Sequence, residues 1–157
     1  MLAELSRIVS SSLDLSEVHE SFAEQLHTLI PFDRFSMSLV DHENQLLLPI
    51  WVNKVRKDED PADQVPLAGS IAGEVVRTGS PIMLDAESPA DLEIRFPALP
   101  AHVRAKLRSI MAVPLIYRNV VTGVLRVGSN KLGVYTPRHL ELLGRIGAQI
   151  AGAVASS

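Results

Sequence analysis

The chain has 157 residues, 46% of them hydrophobic and 21% charged, which is the composition of one ordinary folded domain. It contains no cysteine, so disulfides, cysteine-ligated zinc, iron–sulfur clusters, thiol nucleophiles and thioether-linked cofactors are all excluded. Its net charge is −3, and its longest basic run, Lys54-Val55-Arg56-Lys57, is followed at once by Asp58-Glu59-Asp60, leaving no electrostatic footprint for nucleic acid. No apolar stretch reaches the roughly 18 residues of a membrane span, and the first residues lack a signal-peptide layout, so a cytoplasmic location is expected.

Residues 3–12 read as a first helix. Ser16 offers an N-cap for a longer one, in which Val18, Phe22, Leu26 and Leu29 recur at helical spacing until Pro31 stops it. From Arg34 the period changes to two: Phe35, Met37 and Leu39 alternate with Ser36, Ser38 and Val40, which predicts a strand. Asp41-His42-Glu43-Asn44 is turn chemistry, and Leu46 to Val52 forms the returning strand of a hairpin. Residues 53–64 are charged and hold no apolar period, so they read as an exposed loop.

Leu67-Ala68-Gly69-Ser70 leads into a short helix at about 70–78, with Gly79 as its stop, and Pro81 to Leu84 is a brief strand. Residues 85–107 are broken by Pro89, Pro97 and Pro100, with one helical piece around Pro100 to Leu107. A segment of this length without regular structure is commonly functional. Ser109 to Tyr117 and Val120 to Gly128 are β-rich runs joined by the tight turn Arg118-Asn119. Thr136-Pro137 then caps a long terminal helix whose face is Leu140, Leu143, Ile146, Ile150 and Val154. Strands that pair by hairpins point to an antiparallel sheet with segregated helices, the α+β class.

Together the order and spacing of these pieces resemble a GAF domain. The carrying residues are Pro31-Phe32-Asp33-Arg34, Val65-Pro66-Leu67-Ala68-Gly69-Ser70 with Gly73, Thr78-Gly79-Ser80-Pro81 and Arg108-Ser109-Ile110-Met111-Ala112-Val113-Pro114-Leu115. They continue in Gly123-Val124-Leu125-Arg126-Val127-Gly128-Ser129, Tyr135-Thr136-Pro137 and Gln149-Ile150-Ala151. The resemblance implies one PAS-related domain over 1–157. It has N-terminal helices at 3–30 and a sheet of about six strands at 34–128, interrupted by a roof insertion at 66–107. A signalling helix at 137–155 completes it. The terminal helices are expected on one face of the sheet and a roofed ligand pocket on the other. It further implies a non-catalytic sensor, as in bacterial sensor histidine kinases and diguanylate cyclases, with a small-molecule ligand, a homodimer formed through the terminal helices and an output domain in the parent protein. The alternative is a structural dimerisation or linker module without a ligand.

The ligand classes of the family can be tested on the residues. Covalent tetrapyrroles and the redox catalysis of free methionine sulfoxide reductases need thiols that this chain lacks. A cyclic-nucleotide motif is half present: Asn130-Lys131-Leu132 and Tyr135 fit it, but His139-Leu140 stand where an acidic pair belongs. Haem would need an axial ligand, for which His102 in the roof is the placed histidine, against the plain reading of an exposed loop residue. No cofactor or metal is assigned.

Arg126 interrupts an apolar strand. If Leu125 and Val127 pack on the terminal helices, Arg126 faces the pocket beside Ser36 and Ser38, where a fork of donors suits a carboxylate or phosphate. Pairing with Glu74 or Asp85 is the competing reading. Ser70 either helps bind an anion at a helix start or simply caps that helix. Arg95, Phe96 and Arg108 border the roof as exposed loop residues able to close on a ligand or to do nothing. No triad, paired-carboxylate site or metal cluster emerges.

Overall fold

The change of hydrophobic period at Arg34 is where the sheet begins. The structure, a computed structural model, describes residues 15–53 and 65–155. Helix α1 (Leu15–Leu29) leads to the hairpin β1 (Arg34–Asp41) and β2 (Leu46–Asn53), followed by the short β3 (Val65–Pro66). Next come α2 (Ile71–Thr78), β4 (Ile82–Asp85), α3 (Pro89–Arg95) and α4 (Ala101–Arg104), then β5 (Ser109–Tyr117), β6 (Val120–Ser129) and α5 (Pro137–Ala155). The six strands form one sheet in the order β3-β2-β1-β6-β5-β4, and every pairing is antiparallel. The expected α+β architecture is the one observed.

The two faces of the sheet carry separate cores, as a period of two dictates. Phe35 and Met37 of β1, Met111, Val113 and Leu115 of β5, and Leu125 and Val127 of β6 pack with Phe22 and Leu26 of α1 and Leu143, Ile146 and Ile150 of α5. Ile110, Ala112 and Val124 point the other way, into a second cluster built by Ile71 and Val75 of α2, Leu92 of α3, Phe96, Val103 of α4 and Leu107. The terminal helices therefore cover one face and the segment 67–107 roofs the other.

Local chemistry fixes the ends of the elements. The Ser70 side chain accepts from Gly73 N at 2.9 Å to cap α2, and Gly79 closes that helix at φ 67°. Arg118 and Asn119 both take positive φ, 52° and 65°, as a two-residue β5–β6 hairpin requires. At the start of α5, Thr136 Oγ1 accepts from His139 N, and His139 Nδ1 accepts in return from Thr136 N at 3.1 Å. This reciprocal cap has the logic of a capping box, with an imidazole in place of a carboxylate.

Three expectations need correction. Helix α1 already includes Leu15, so Ser16 lies within the helix rather than at its N-cap. The segment 85–107 holds two helices, of which α3 was unforeseen: Ser88 takes the extended N-cap conformation and Pro89 opens the helix, where a fixed φ is an advantage. Strand β4 is shifted to 82–85. The predicted helix at 3–12 and nearly all of the predicted loop at 53–64 lie outside the described residues.

Candidate functional site

The site grows from the register of β1 against β6. Ser36 pairs with Arg126, Ser38 with Val124 and Arg34 with Gly128. Leu125 and Val127 belong to the helix-side core, so Arg126 stands on the roof side, between Ser36 on one flank and Ala112 of β5 on the other. Ala112 and Val124 are part of the apolar roof cluster. Arg126 thus lies where a greasy wall meets a polar strip.

Arg126 is partly buried and has no acidic partner among the described residues. Burial first, and the like charge of Arg34 second, lower its pKa to about 10; the guanidinium still carries its charge at neutral pH. Both carboxylates that might have answered it are committed elsewhere. Glu74 receives Arg95 at 3.2 Å and lies 3.9 Å from Arg77. Asp85 accepts from Ser109 Oγ at 2.9 Å and from Gly133 N at 3.2 Å. Nor do the hydroxyls of Ser36 and Ser38 have side-chain partners among the described residues, although Ser38 is buried. Arg126, Ser36 and Ser38 are therefore unanswered donors on one strip of one face.

The remaining residues singled out from the sequence fall outside that strip. The Ser70 hydroxyl is spent: it accepts from Gly73 N and donates to Leu67 O at 2.8 Å, which is the capping reading. Arg95 is exposed, bridges to Glu74 and lies over the Phe96 ring at 5.1 Å. Phe96 is no exposed loop residue; it is buried in the roof core, because α3 delivers it there just after Leu92. Arg108 is likewise not a free cation at the rim. Its guanidinium donates to the carbonyls of Leu107 at 2.8 Å, Arg104 at 3.2 Å and Ala105 at 3.2 Å, closing the end of α4. His102 is exposed on α4, and no group of metal-binding side chains occurs among the described residues.

One feature had no sequence signal. The segment 129–134, which joins β6 to α5, is held by two carboxylates from distant parts of the chain. Asp33 accepts from Asn130 N at 2.7 Å and from Ser129 Oγ at 3.3 Å. Asp85, at the foot of the roof, receives Gly133 N, and the buried Ser109 Oγ that bonds Asp85 also lies 2.6 Å from Lys131 O. Arg108 N donates to Ser129 O at 2.8 Å. The strand that carries Arg126 thus runs into a connection pinned to both the roof and the start of β1.

The family model described as the GAF domain matches residues 12–155. This chain belongs to the GAF domain family. It is 24% identical over 157 residues to the formate hydrogenlyase transcriptional activator FhlA of Escherichia coli (strain K12), matching 98% of this chain and spanning only 22% of that relative's length. Among solved structures it is similar to the GAF domain of the Acinetobacter phosphoenolpyruvate-protein phosphotransferase, with TM-score 0.76 and 23% identity over 99% of this chain and 90% of that one. It is also similar to the free methionine-R-sulfoxide reductase of Neisseria meningitidis in complex with its substrate. There the TM-score is 0.79 and the identity 17%, over 99% of this chain and 87% of that one. At these identities the structural likenesses speak to the fold alone, which this chain shares with a GAF domain of a phosphotransferase and with a reductase. No helix among the described residues is long and apolar enough to cross a membrane.

Proposed function

We propose that this GAF domain is a non-catalytic sensory module that binds a small anionic ligand over Arg126 and passes the bound state to an output domain through its terminal helices. The observation that supports the reading is the cation at the centre of the sheet, charged and without an acidic partner among the described residues. A buried or half-buried charge is costly unless something pairs with it, and a planar fork beside two hydroxyls suits a carboxylate or phosphate. The parent we envisage is a cytoplasmic bacterial signalling protein such as a sensor histidine kinase or a diguanylate cyclase. The likeness to a transcriptional activator adds a further kind of regulator to that set.

Sulfoxide reductase chemistry does not come with the fold, since a chain without cysteine has no thiol to oxidise. Homodimerisation through the terminal helices is part of the same proposal. A side chain added at Gly144 of α5 would meet none of the described residues within 4 Å, whereas one at Gly147 would press on Val113 of β5 at 3.1 Å. Among the described residues Gly144 leaves room beside α5, and Gly147 serves the domain's own packing.

Thermal unfolding of the purified chain with carboxylates, phosphate and neutral amino acids tests the reading. An anion that prefers the native state must raise the midpoint, and Arg126→Ala must remove the rise while the fold remains. A midpoint that no anion moves, or a rise that persists in the variant, rejects it. Light scattering at high concentration tests the dimer, which a monomer throughout would exclude.

A further inference from the structure

The strip around Arg126 is open in one direction only. Towards Gly128 it is closed, because the space over that glycine is taken by the side chain of Leu107, itself buried in the roof core. Arg34, opposite Gly128, has an interaction of its own. In the other direction the roof-side neighbours are Ser38 and Val124, a cross-strand pair, with Pro114 of β5 beside Val124. A molecule whose charged end meets Arg126 therefore lays its body towards Ser38 and Val124.

What those neighbours can answer defines the molecule. Ser36 stands directly across from Arg126, with Cβ atoms about 4.5–5.5 Å apart, so its hydroxyl and the guanidinium can donate to one carboxylate. Ser38 follows two residues on, about 6.6–6.8 Å along the strand, and is buried with its hydroxyl unanswered by any side chain among the described residues. Two oxygens on adjacent carbons cross that gap with a hydrogen bond of about 2.7–2.8 Å at each end. Val124, Ala112 and Pro114 offer apolar contact alone. Among the described residues nothing here answers a second charge of either sign: Glu74 and Asp85 are engaged elsewhere, and the guanidiniums of Arg104 and Arg108 donate to backbone carbonyls.

We propose that the ligand of this site is a short 2-hydroxy or 2-oxo monocarboxylate with an uncharged body, its carboxylate held by Arg126 and Ser36 and its second oxygen accepting from Ser38. The proposal rests on the reading of Arg126 given above and makes Ser38 the residue that selects among carboxylates. A plain aliphatic acid leaves the buried Ser38 hydroxyl unanswered, which costs binding. An amino acid of the same skeleton sets an ammonium between Ser38 and Val124 with no carboxylate to pair it, and a dicarboxylate brings a second negative charge to the same apolar end.

The test compares unfolding midpoints of the full chain near pH 7 in lactate, pyruvate, propionate, alanine, succinate and chloride at matched ionic strength, for the unaltered chain and for Ser38→Ala and Arg126→Gln. Lactate, propionate and alanine share one carbon skeleton and differ at the second carbon alone. We expect lactate or pyruvate to give a half-maximal shift at a concentration at least tenfold below that of propionate, alanine or succinate. Ser38→Ala should bring lactate and pyruvate down to the propionate level while the propionate response stays, a change of ratio that a merely structural role for Ser38 would not produce. Arg126→Gln should lose the response to every carboxylate. Equal responses to lactate, pyruvate and propionate, a preference that survives Ser38→Ala, or a stronger response to alanine or succinate overturns this ligand class while leaving an anion site at Arg126 intact. Absence of any anion response in the unaltered chain overturns the Arg126 reading and this proposal with it. Far-UV circular dichroism of each variant confirms that a lost response is not a lost fold.

Discussion

Leu107 occupies the space where a side chain on residue 128 would have to go: a Cβ built on Gly128 runs into Leu107 Cδ1. Leu107 is itself buried in the roof core, so it has little freedom to withdraw. Gly128→Ala should therefore destabilise the domain by about 1–3 kcal/mol through overpacking. Gly144→Ala is the internal control. It lies in the interior of α5 with no described residue close to an added Cβ, and the substitution should stabilise by ~0.5–1 kcal/mol through helix propensity. Urea midpoints of the two variants should move in opposite directions.

Tyr135 presents a half-buried ring whose hydroxyl is buried without a hydrogen-bond partner among the described residues. Burial first, and the nearby Asp33 charge second, push its pKa above the ordinary value of 10.0. At high pH the folded chain then holds a phenolic proton that the unfolded chain has released, so this residue's contribution to stability is intact below about pH 10 and falls as pH rises through that value. Tyr135→Phe should be neutral or slightly stabilising near neutral pH, and its advantage over the unaltered chain should widen above pH 10. A constant difference between the two midpoints from pH 8 to 11 would contradict this.

The Ser109 hydroxyl is fully buried and lies within hydrogen-bond distance of Asp85 and of Lys131 O, while Val134 N approaches it at 3.4 Å. Ser109→Ala leaves these groups short of a partner and should cost about 1–3 kcal/mol. Because the connection to α5 hangs on the same network, hydrogen exchange at residues 130–136 should accelerate more than exchange in β1. Uniform acceleration would mean that the network serves overall stability alone.

Arg126 offers a trade between stability and binding. Replacing it with Met keeps the length of the side chain and removes a desolvated charge. In ligand-free buffer Arg126→Met should raise stability by about 1 kcal/mol while abolishing any anion response, as is common where a site is held ready at the expense of the fold. Calorimetry with and without lactate separates the two effects, and a destabilised variant would show that Arg126 is structural.

The sheet was legible because period-two patterning survives translation into three dimensions. Phe35, Met37, Leu125 and Val127 announce one face, and Ser36, Ser38 and Arg126 fall on the other by alternation alone. The caps Ser70 and Thr136 were equally readable, since their chemistry is local. Helix α3 was hidden by reading Pro89 as an interruption, when a serine followed by proline also begins helices, and Leu92 and Phe96 at i, i+4 then line its inner side. The fates of Phe96 and Arg108 depend on which carbonyls and which core the roof brings near them. Spacing along the chain does not encode that, and the long-range grip of Asp33 and Asp85 on 129–134 is invisible for the same reason.

Among the described residues both edge strands of the sheet are brief: β3 has two residues and β4 has four. An edge strand is an open row of amides and carbonyls that another chain can extend, and short edges offer that template too few bonds to hold a visitor. β6, which carries Arg126, is paired on both flanks, with β1 over Gly123–Gly128 and with β5 over Val120–Ser129. A visiting strand therefore has no open backbone to extend beside Arg126, and copies that met at an edge of the sheet would leave the surroundings of that residue unchanged.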